Sequence, residues 1–365
     1  FTMSSDENLV ILVIDAADSR TFSELLTSRD PQFADVLSDF TYYPDTLCAY
    51  PFTEHSIPFI LEGRWYENQG DFQAFVTEAM DASPLLTRLR QEDYRMGLYE
   101  EDLIYEGDGK FDFENVTETD YRFRSTRAIL WEELKLVWFK YAPFPLKPFA
   151  HVSIDSMNWL LTISGGQEHF WAANWDFDRD IRNAAPELVP ERCFRFIHIE
   201  GAHVPFRYDR EVRVIPSSQG SYELNMEASM TLVDRYLTLL REAGAYDNSA
   251  IVILGDHGYG YNRADTTLGR GNALLAVKGI GERHPSMQTS QAPISYEDLQ
   301  TAYQRLLDGR PGDAVFDARE GEARVRRFLL YEYTEEDHMV EYELRGHAFD
   351  IANMAPTGRV FDHEP

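Results

Sequence analysis

Residues 9–15 read LVILVID, six aliphatic side chains in a row followed by an acidic one. An uninterrupted aliphatic run of this length is typical of a parallel strand that is buried on both faces of its sheet. Comparable runs occur at Phe194–Ile199 (FRFIHI), Ala250–Leu254 (AIVIL) and Ala273–Val277, and helical patterns separate them along the chain. This alternation predicts an α/β fold, a doubly wound and mostly parallel sheet flanked by helices.

Several helix starts are marked by capping residues. Ser83 precedes the pattern PLLTRLR, and Ser295 is followed three residues later by Asp298, so both serines read as N-caps. Another helix is predicted to begin at Thr53, and the longest helical pattern spans residues 221–243. The chain therefore alternates between strand and helix over most of its length.

Three stretches depart from this alternation. Residues 100–122 are acidic and read as an exposed excursion. Residues 141–190 are rich in Pro, Trp and Asn, and we expect an irregular insertion there that covers the sheet edge or the site. The text turns strand-like from Arg324 onward. We therefore expect one large domain over residues 1–310 and a small β-rich C-terminal extension over residues 311–365, packed on the same domain.

The chain is strongly acidic, because 34 basic residues stand against 62 acidic ones and give a formal charge of −28. Such a surface repels nucleic acid and anionic lipid, so neither is expected as a partner of the surface as a whole. An anionic substrate would have to be attracted by a local cation, most simply a metal ion.

Cysteine usage and hydropathy set further limits. The two cysteines, Cys48 and Cys193, show no zinc-finger spacing and read as two isolated core thiols or as a single disulfide. No apolar run approaches the roughly 20 residues that span a bilayer. The chain begins at Phe1 rather than Met, which is compatible with a removed signal peptide, a removed membrane anchor or a trimmed end.

Polar side chains follow three of the buried runs. In open α/β sheets, ligands bind at the carboxyl ends of the strands, so these positions are candidates for a site. Thr53 adds a fourth element, since backbone amides and the helix dipole at a loop-to-helix junction favour a phosphate group. The candidates at the strand ends are Asp15, His198, Glu200, His203, Asp256 and His257.

A divalent metal ion would unite four of these residues. A threonine hydroxyl is a poor nucleophile until metal coordination lowers its pKa. Two carboxylates and an imidazole form a mixed oxygen and nitrogen ligand set that suits Zn or Mn. Asp15, Thr53, Asp256 and His257 could therefore form one site.

Each residue alone also has a plainer interpretation. An Asp after a strand is often a helix cap, a Thr at a helix start is more often an N-cap than a nucleophile, and a His inside a strand is usually a buried structural residue. The sequence Asp256-His257-Gly258 is harder to explain in this way, because it places two ligand-type side chains and a turn at one strand end.

Several segments, in order, resemble the sulfatase/alkaline phosphatase superfamily over roughly residues 8–310. The first metal-ligand strand of that family is similar to NLVILVIDAADS, and its nucleophile segment is similar to YPFTEHSIPFILEG. Its signature D-N-[ST]-x-I-x-x-x-[ST]-D-H-G closely resembles YDNSAIVILGDHGYG. Its His-x-x-Gly-x-His-x-Pro stretch resembles FIHIEGAHVPF, and a later strand and helix resemble NALLAVKGIG and ISYEDLQTAYQRLLDG.

Within the superfamily, the resemblance is to membrane-anchored phosphotransferases of the lipoteichoic acid synthase and phosphoethanolamine transferase type. Their nucleophile is a Thr with Ser three and Pro five residues on, as at Thr53, Ser56 and Pro58. Sulfatases instead carry a Cys or Ser that is converted to formylglycine, which a threonine cannot become. The resemblance thus favours phosphoryl transfer over sulfate hydrolysis.

The resemblance implies a phosphothreonine intermediate and one tightly bound divalent metal. Asp15, Thr53, Asp256 and His257 would hold that ion, Zn or Mn with Mg also compatible. His203 would face the phosphoryl group or the leaving oxygen.

Neighbouring residues receive weaker assignments from the same resemblance. His198 would point into the core, and Glu200 is a minor candidate for a second metal beside His203. Phosphoethanolamine transferases carry a histidine thirteen residues after the Asp of Asp-His-Gly, where this chain has a glycine. Arginines lie there instead and could hold a phosphate oxygen in place of a second cation. The weaker substrate-binding candidates are Ser56, Arg263 and Arg270.

The resemblance also implies partners and a location. The donor would be a phospholipid head group or another phosphodiester, and the acceptor an alcohol on a glycan or lipid. We expect a membrane-anchored full-length protein with this domain on the extracytoplasmic face, with a secreted or periplasmic protein as the alternative. The other functions considered are a phosphodiesterase or phosphatase, a sulfatase-type hydrolase of the same fold, and an inactive binding homologue, against which the intact set of site residues speaks.

Overall fold

The computed structural model describes residues 1–99, 113, 120–123, 126–150, 161–164, 174–260, 266–332 and 335–363. The chain forms two compact units, of which the larger comprises Phe1–Asn115 with Phe170–Pro365 and the smaller comprises Val116–His169. The sequence analysis does not predict this division. Residues 311–365 belong to the larger unit, which also contains residues 1–115 and 170–310 of the predicted large domain.

Strands and helices alternate along the described part of the chain. The strands are β1 Thr2–Ser4, β2 Asn8–Ile14, β3 Thr41–Tyr42, β4 Thr46–Leu47, β5 Arg95–Tyr99, β6 Asp120–Phe123, β7 Leu161–Ser164, β8 Glu187–Val189, β9 Cys193–Ile199, β10 Ser249–Gly255, β11 Leu275–Lys278, β12 Gln288–Thr289, β13 Ile294–Ser295, β14 Val325–Glu332, β15 Glu335–Arg345 and β16 Met354–Asp362. The helices are α1 Ser19–Glu24, α2 Phe33–Val36, α3 Thr53–Glu62, α4 Phe72–Ala82, α5 Pro84–Gln91, α6 Thr126–Tyr141, α7 Asn174–Asn183, α8 Tyr222–Ala243, α9 Thr266–Gly269 and α10 Leu299–Leu307.

The larger unit is built around a sheet that has seven strands within the described residues, in the order β12-β3-β11-β10-β2-β9-β5. Strands β10, β2, β9 and β5 run parallel, and β11 pairs antiparallel with both β10 and β3. Strand β2 lies in the middle, with Ile11 opposite Val252 on one side and Phe196 on the other. The observed mixed α/β architecture confirms the predicted fold class.

Both faces of β2 are covered, which explains its uninterrupted aliphatic sequence. Alternate residues beginning at Leu9 pack into one core cluster with residues of α3, α5 and α10. The residues between them, beginning at Val10, pack on the opposite face with residues of α1, α7 and α8. Each fully buried aliphatic side chain contributes about 1.5–3 kcal/mol of stability. The strand is thereby fixed in place, and so is the residue that follows it, Asp15.

Most helix caps form where the sequence predicts them. The Ser83 hydroxyl accepts a hydrogen bond from the Leu86 amide at the start of α5. Ser295 and Asp298 form a capping box ahead of α10, in which the Asp298 carboxylate accepts from the Ser295 amide at 3.0 Å. These contacts satisfy amide groups that have no partner inside the helix.

The stretch 141–190 is more regular than the predicted irregular insertion. Its described residues include a 3-10 turn, Phe144–Ala150, as well as β7, α7 and β8. Helix α7 is hard to recognise because its sequence is rich in Asn and Asp, which favour helices weakly, and it is anchored by Phe177 in the core. The predicted acidic excursion at 100–122 lies largely outside the described residues.

The C-terminal strands β14, β15 and β16 form an antiparallel sheet, as the sequence predicts. The buried guanidinium of Arg326 donates to the Asp45 carboxylate at 2.8 Å, and the Leu329 amide donates to the carbonyl of Ala49 at 3.0 Å. This small sheet therefore supports the loop that leads to α3.

Two further features agree with the composition. Cys48 and Cys193 are both free and buried, so they are isolated core thiols and not a disulfide. Across the described residues, none of the helices combines the length and the apolar character needed to cross a membrane.

Candidate active site

Two neighbouring strands, β2 and β10, bring three of the predicted metal ligands to one edge of the large sheet, and β9 ends beside β2. Strands β10 and β2 end in register, and so do β2 and β9. Asp15 and Asp256 are the next residues after two adjacent parallel strands, so they leave the sheet side by side. The backbone of Asp15 is tied to the β9 end, since its amide donates to Ile199 at 3.1 Å and its carbonyl accepts from Ala202 at 2.9 Å.

Asp15, Asp256 and His257 converge at this edge. Each offers one ligand-type atom, and these atoms lie within 4.8 Å of one another. Nε2 of His257 is 3.8 Å from Oδ1 of Asp15 and 3.4 Å from Oδ2 of Asp256. A mixed set of two carboxylates and one imidazole at this spacing can hold a divalent cation.

The hydrogen bonds around Asp256 fit such an ion. Its Oδ1 accepts from the amides of Ala16 and His257 at 2.9 and 2.8 Å. Its Oδ2 is buried and accepts no hydrogen bond of good geometry from the described residues. A buried carboxylate oxygen without a donor is costly, and a cation at this position would remove the cost.

The protonation states of the cluster also suit metal binding. Burial alone would raise the pKa of Asp256, but His257, His198, the Ala16 amide and the Thr53 hydroxyl outweigh it and hold the pKa below its usual value. Burial lowers the pKa of His257 against the opposing effect of the Asp256 carboxylate, and this direction favours the neutral imidazole. Its Nδ1 lies 2.8 Å from the Gly258 carbonyl, and donation there leaves the Nε2 lone pair facing the carboxylates.

Thr53 is the first residue of α3 and lies beside this cluster. Its hydroxyl is close enough to the Asp256 carboxyl group to lower the pKa of that group. The residue before it, Phe52, has extended backbone angles, and its side chain forms no capping hydrogen bond. The Phe52 side chain has no acceptor for the amides at the start of α3, and such amides can bind an anionic group.

Ser56, a predicted substrate contact, also contacts the backbone of the loop before α3. It is fully buried, and its hydroxyl donates to the carbonyl of Tyr50 at 3.0 Å. The spacing of Thr53 and Ser56 therefore reflects how the first turn of α3 holds the preceding loop.

Arg270, one of the two arginines predicted as weaker substrate-binding candidates, follows α9 and contacts the loop before α3. Its guanidinium stacks over the ring of Phe52 at 4.6 Å, and Nη1 donates to the carbonyl of Pro51 at 3.3 Å. Burial lowers the pKa of Arg270, whereas the Asp256 and Asp15 carboxylates oppose this shift. The side chain is thus a partly buried cation that packs on the loop before α3, close enough to Asp256 and Asp15 to interact with both carboxylates.

His203 lies at the exposed side of the cluster. Its Nδ1 donates to the Val204 carbonyl at 2.6 Å, which leaves Nε2 as the ring nitrogen that can exchange a proton. It is near enough to His257 to lower the pKa of that imidazole. This position suits a group that acts on a leaving oxygen.

Two other candidates have protein partners. Glu200 accepts hydrogen bonds from Tyr208, Arg207 and Asn174 at 2.8–3.2 Å, so its carboxylate is already compensated without a second metal. His198 is buried within β9 and acts on the pKa of Asp256. Arg263 lies outside the described residues.

Residues distant in sequence complete the site and are not predicted. Asn174 holds the turn after β9, because its side-chain amide donates to the Gly201 carbonyl at 2.7 Å and its oxygen accepts from the Gly201 amide at 2.8 Å. Gly201 adopts a positive φ of 59°, and a Cβ there would lie 2.6 Å from the Asp15 nitrogen. Tyr331 of the C-terminal sheet donates to Glu54 at 2.9 Å and lies 2.6 Å from His55. The only sequence signal for any of these is the glycine of the His-x-x-Gly-x-His pattern.

Several solved structures share this architecture. A protein in the alkaline phosphatase superfamily from Vibrio parahaemolyticus aligns with a TM-score of 0.52 and 11% identity, covering 98% of this chain and 83% of that one. Ps i-CgsB in complex with k-i-k-neocarrahexaose aligns with a TM-score of 0.54 and 13% identity over 93% and 82% of the two chains. BT4656 in complex with its substrate D-glucosamine-2-N,6-O-disulfate aligns with a TM-score of 0.51 and 11% identity over 98% and 91%. At these identities the likeness establishes the fold.

No protein-family model and no curated protein matches the sequence.

Proposed function

We propose that this chain, which has the fold of the alkaline phosphatase superfamily, is a metal-dependent phosphotransferase that moves a phospho-alcohol group through a phosphothreonine intermediate on Thr53. The observation that supports this most directly is the convergence of Asp15, Asp256 and His257 beside the hydroxyl that begins α3. A site of this kind joins a nucleophile, an anion-binding helix start and a ligand set for a cation.

The ligands would be Asp15, Asp256, His257 and the Thr53 hydroxyl. Zn or Mn suits this set, and Mg is also compatible. When bound, such an ion supplies Lewis-acid activation of the hydroxyl and neutralises phosphate charge. The lowered pKa values of the Asp256 carboxyl group and the His257 imidazole both favour the forms that this role requires, an ionised carboxylate and a neutral imidazole.

The reaction proceeds in two displacements. Oγ1 of Thr53 forms a bond to the phosphorus of a phosphodiester as the bond to the leaving alcohol oxygen breaks, and the hydroxyl proton is lost to solvent. His203 donates the proton that the leaving oxygen needs, and Arg270 binds a non-bridging phosphoryl oxygen by charge-assisted hydrogen bonds. An acceptor alcohol then gives its proton to His203 as its oxygen bonds to the phosphorus and the bond from phosphorus to Oγ1 of Thr53 breaks. Oγ1 takes up a proton from solvent, which restores the Thr53 hydroxyl.

The donor in this proposal is a phospholipid head group of phosphoglycerol or phosphoethanolamine type, and the acceptor is an alcohol on a glycan or lipid. The motif resemblance supports this choice, and it also supports a location on the extracytoplasmic face of a membrane. Thr53 in place of a formylglycine precursor argues against sulfate hydrolysis. Water could replace the acceptor alcohol at the same site, and the enzyme would then be a phosphodiesterase.

A transfer assay tests the proposal. Vesicles containing phosphatidylglycerol or phosphatidylethanolamine are incubated with the protein, Zn or Mn, and glycerol as acceptor, and diacylglycerol release is measured. Thr53→Ala should reduce turnover by about a thousandfold or more, while Thr53→Ser should retain part of it because a hydroxyl remains. Release that is unaffected by the acceptor would identify a hydrolase, and turnover in Thr53→Ala equal to wild type would refute the proposal.

A further inference from the structure

Helix α6 of the smaller unit exposes apolar side chains, most of them as a stripe along one side, while Leu136 and Phe139, 39% and 46% exposed, lie on the other side. The six members of the stripe recur at helical spacing within a sector of about 120°. They expose between 50% and 73% of their surface. The members of this α6 stripe are Leu130, Trp131, Leu134, Val137, Trp138 and Tyr141.

The stripe is large for a surface feature. Six large apolar side chains at this exposure present on the order of 600 Å² of surface, whereas the largest apolar patch on an ordinary monomer is about 300–600 Å² and is often functional. Two more rings follow in the 3-10 turn after the helix, where Phe144 is 85% and Phe149 is 70% exposed. A patch of this size indicates an interaction surface.

The charge around the stripe is opposite in sign to that of the whole chain. Residues 126–150 hold four basic and two acidic side chains, a net charge of +2 in a chain of −28. One of the acids, Glu132, is paired with Lys135 at 2.5 Å. The ammonium groups of Lys140 and Lys147 lie over the rings of Tyr141 and Phe139 at 5.4 and 5.3 Å. Lysines on aromatic rings beside aliphatic residues match the chemistry of the boundary between lipid headgroups and acyl chains.

We propose that the α6 stripe docks the protein on an anionic lipid surface. The stripe would enter the headgroup region, with Trp131 and Trp138 at the level where indole rings are favoured and the lysines at the anionic headgroups. The chain as a whole repels such a surface, but that repulsion is screened beyond roughly 10 Å at 0.1 M salt, so a local basic and apolar patch can prevail. Pairing of two copies through the stripe is disfavoured, because it would bring together two patches that each carry a net charge of +2, whereas an anionic lipid surface complements that charge.

Vesicle co-sedimentation of the whole chain tests this proposal with a matched pair of variants. Leu134 belongs to the stripe, whereas Leu136 lies two residues on, on the opposite side of the same helix, and is 39% exposed. Wild type should pellet with vesicles of phosphatidylglycerol and phosphatidylcholine and not with phosphatidylcholine alone. Leu134→Asn should weaken binding about tenfold, Leu136→Asn should change it less than twofold, and 0.5 M salt should weaken binding by wild type. Circular dichroism checks that both variants keep their helices.

Several results would overturn the proposal. These are no pelleting with either vesicle, equal pelleting with both, equal losses in the two leucine variants, or a dimer that Leu134→Asn abolishes. The measurement needs neither metal nor turnover, and Thr53→Ala should bind vesicles like wild type. Failure of lipid docking would therefore leave the proposed transferase activity untouched.

Discussion

Glu62 should make the protein less stable at alkaline pH, and Glu62→Gln should relieve that loss. Glu62 is the last residue of α3, the helix that begins with Thr53, and it is 3% exposed. Its Oε2 finds no hydrogen-bond partner among the described residues. Burial raises the pKa of this carboxyl group from 4.5 to about 8, against a smaller opposing effect of Arg64. The group is therefore protonated in the folded protein at neutral pH.

The direction of this pH dependence follows from the number of protons that the folded and the unfolded chain bind. Between pH 4.5 and 8 the folded chain keeps a proton that the unfolded chain has lost, so the contribution of Glu62 to stability is greatest below pH 4.5 and falls as the pH rises through 8. A shift of this size corresponds to roughly 5 kcal/mol. The glutamine in Glu62→Gln cannot ionise. The difference in free energy of unfolding between this variant and wild type should therefore be near zero at pH 5 and rise toward that value at pH 9.

Urea unfolding at several pH values measures this difference directly, since all other titrating groups are shared by the two proteins. Glu78→Gln is the control, because Glu78 pairs with Arg64 at 3.2 Å while its side chain is 75% exposed. Its difference from wild type should stay within about 0.5 kcal/mol at every pH. A Glu62→Gln protein that is less stable than wild type at pH 9, or a difference independent of pH, would refute the reasoning.

Three further predictions concern the site. Gly201→Ala should destabilise the protein by about 3 kcal/mol in urea unfolding, because a Cβ at this positive φ meets the Asp15 backbone at 2.6 Å; a loss below 1 kcal/mol would contradict this. Arg270→Ala should lower kcat/KM about a hundredfold and Arg270→Lys about tenfold, since lysine keeps the charge but loses the fork-shaped donor set; equal activity of the two variants would argue against bidentate phosphate binding. Elemental analysis of protein purified without added metal and then dialysed should give close to one divalent ion per chain, and a value near two, or a second metal on His203, would contradict the single site.

Much of the fold follows from short-range pattern. Both faces of the strand from Leu9 to Ile14 are covered, so every one of its residues is apolar. The aliphatic run alone therefore predicts a buried parallel strand. Helix α7 cannot be predicted in this way, because its Asn- and Asp-rich sequence favours a helix weakly and is stabilised by packing of Phe177 against distant elements. Local sequence pattern predicts a helix or strand only where the residues of that segment themselves favour it.

The site divides in the same way. Asp15 and Asp256 could be placed together because they follow parallel strands that are neighbours in the sheet. The partner of Ser56 is a backbone carbonyl, which leaves no mark in the sequence. Asn174 and Tyr331 reach the site across long stretches of chain, to the Gly201 turn and to the first turn of α3. Such contacts depend on the packing of whole elements, so residue spacing cannot reveal them.

Trapping of the covalent intermediate tests the central claim most directly. The protein is incubated with metal and a phospholipid donor in the absence of acceptor, and its intact mass is measured before peptide mapping. We expect one added phospho-alcohol group on Thr53 in wild type and none in Thr53→Ala. An adduct that persists in Thr53→Ala, or one that maps to another residue, would contradict the assignment of Thr53 as nucleophile.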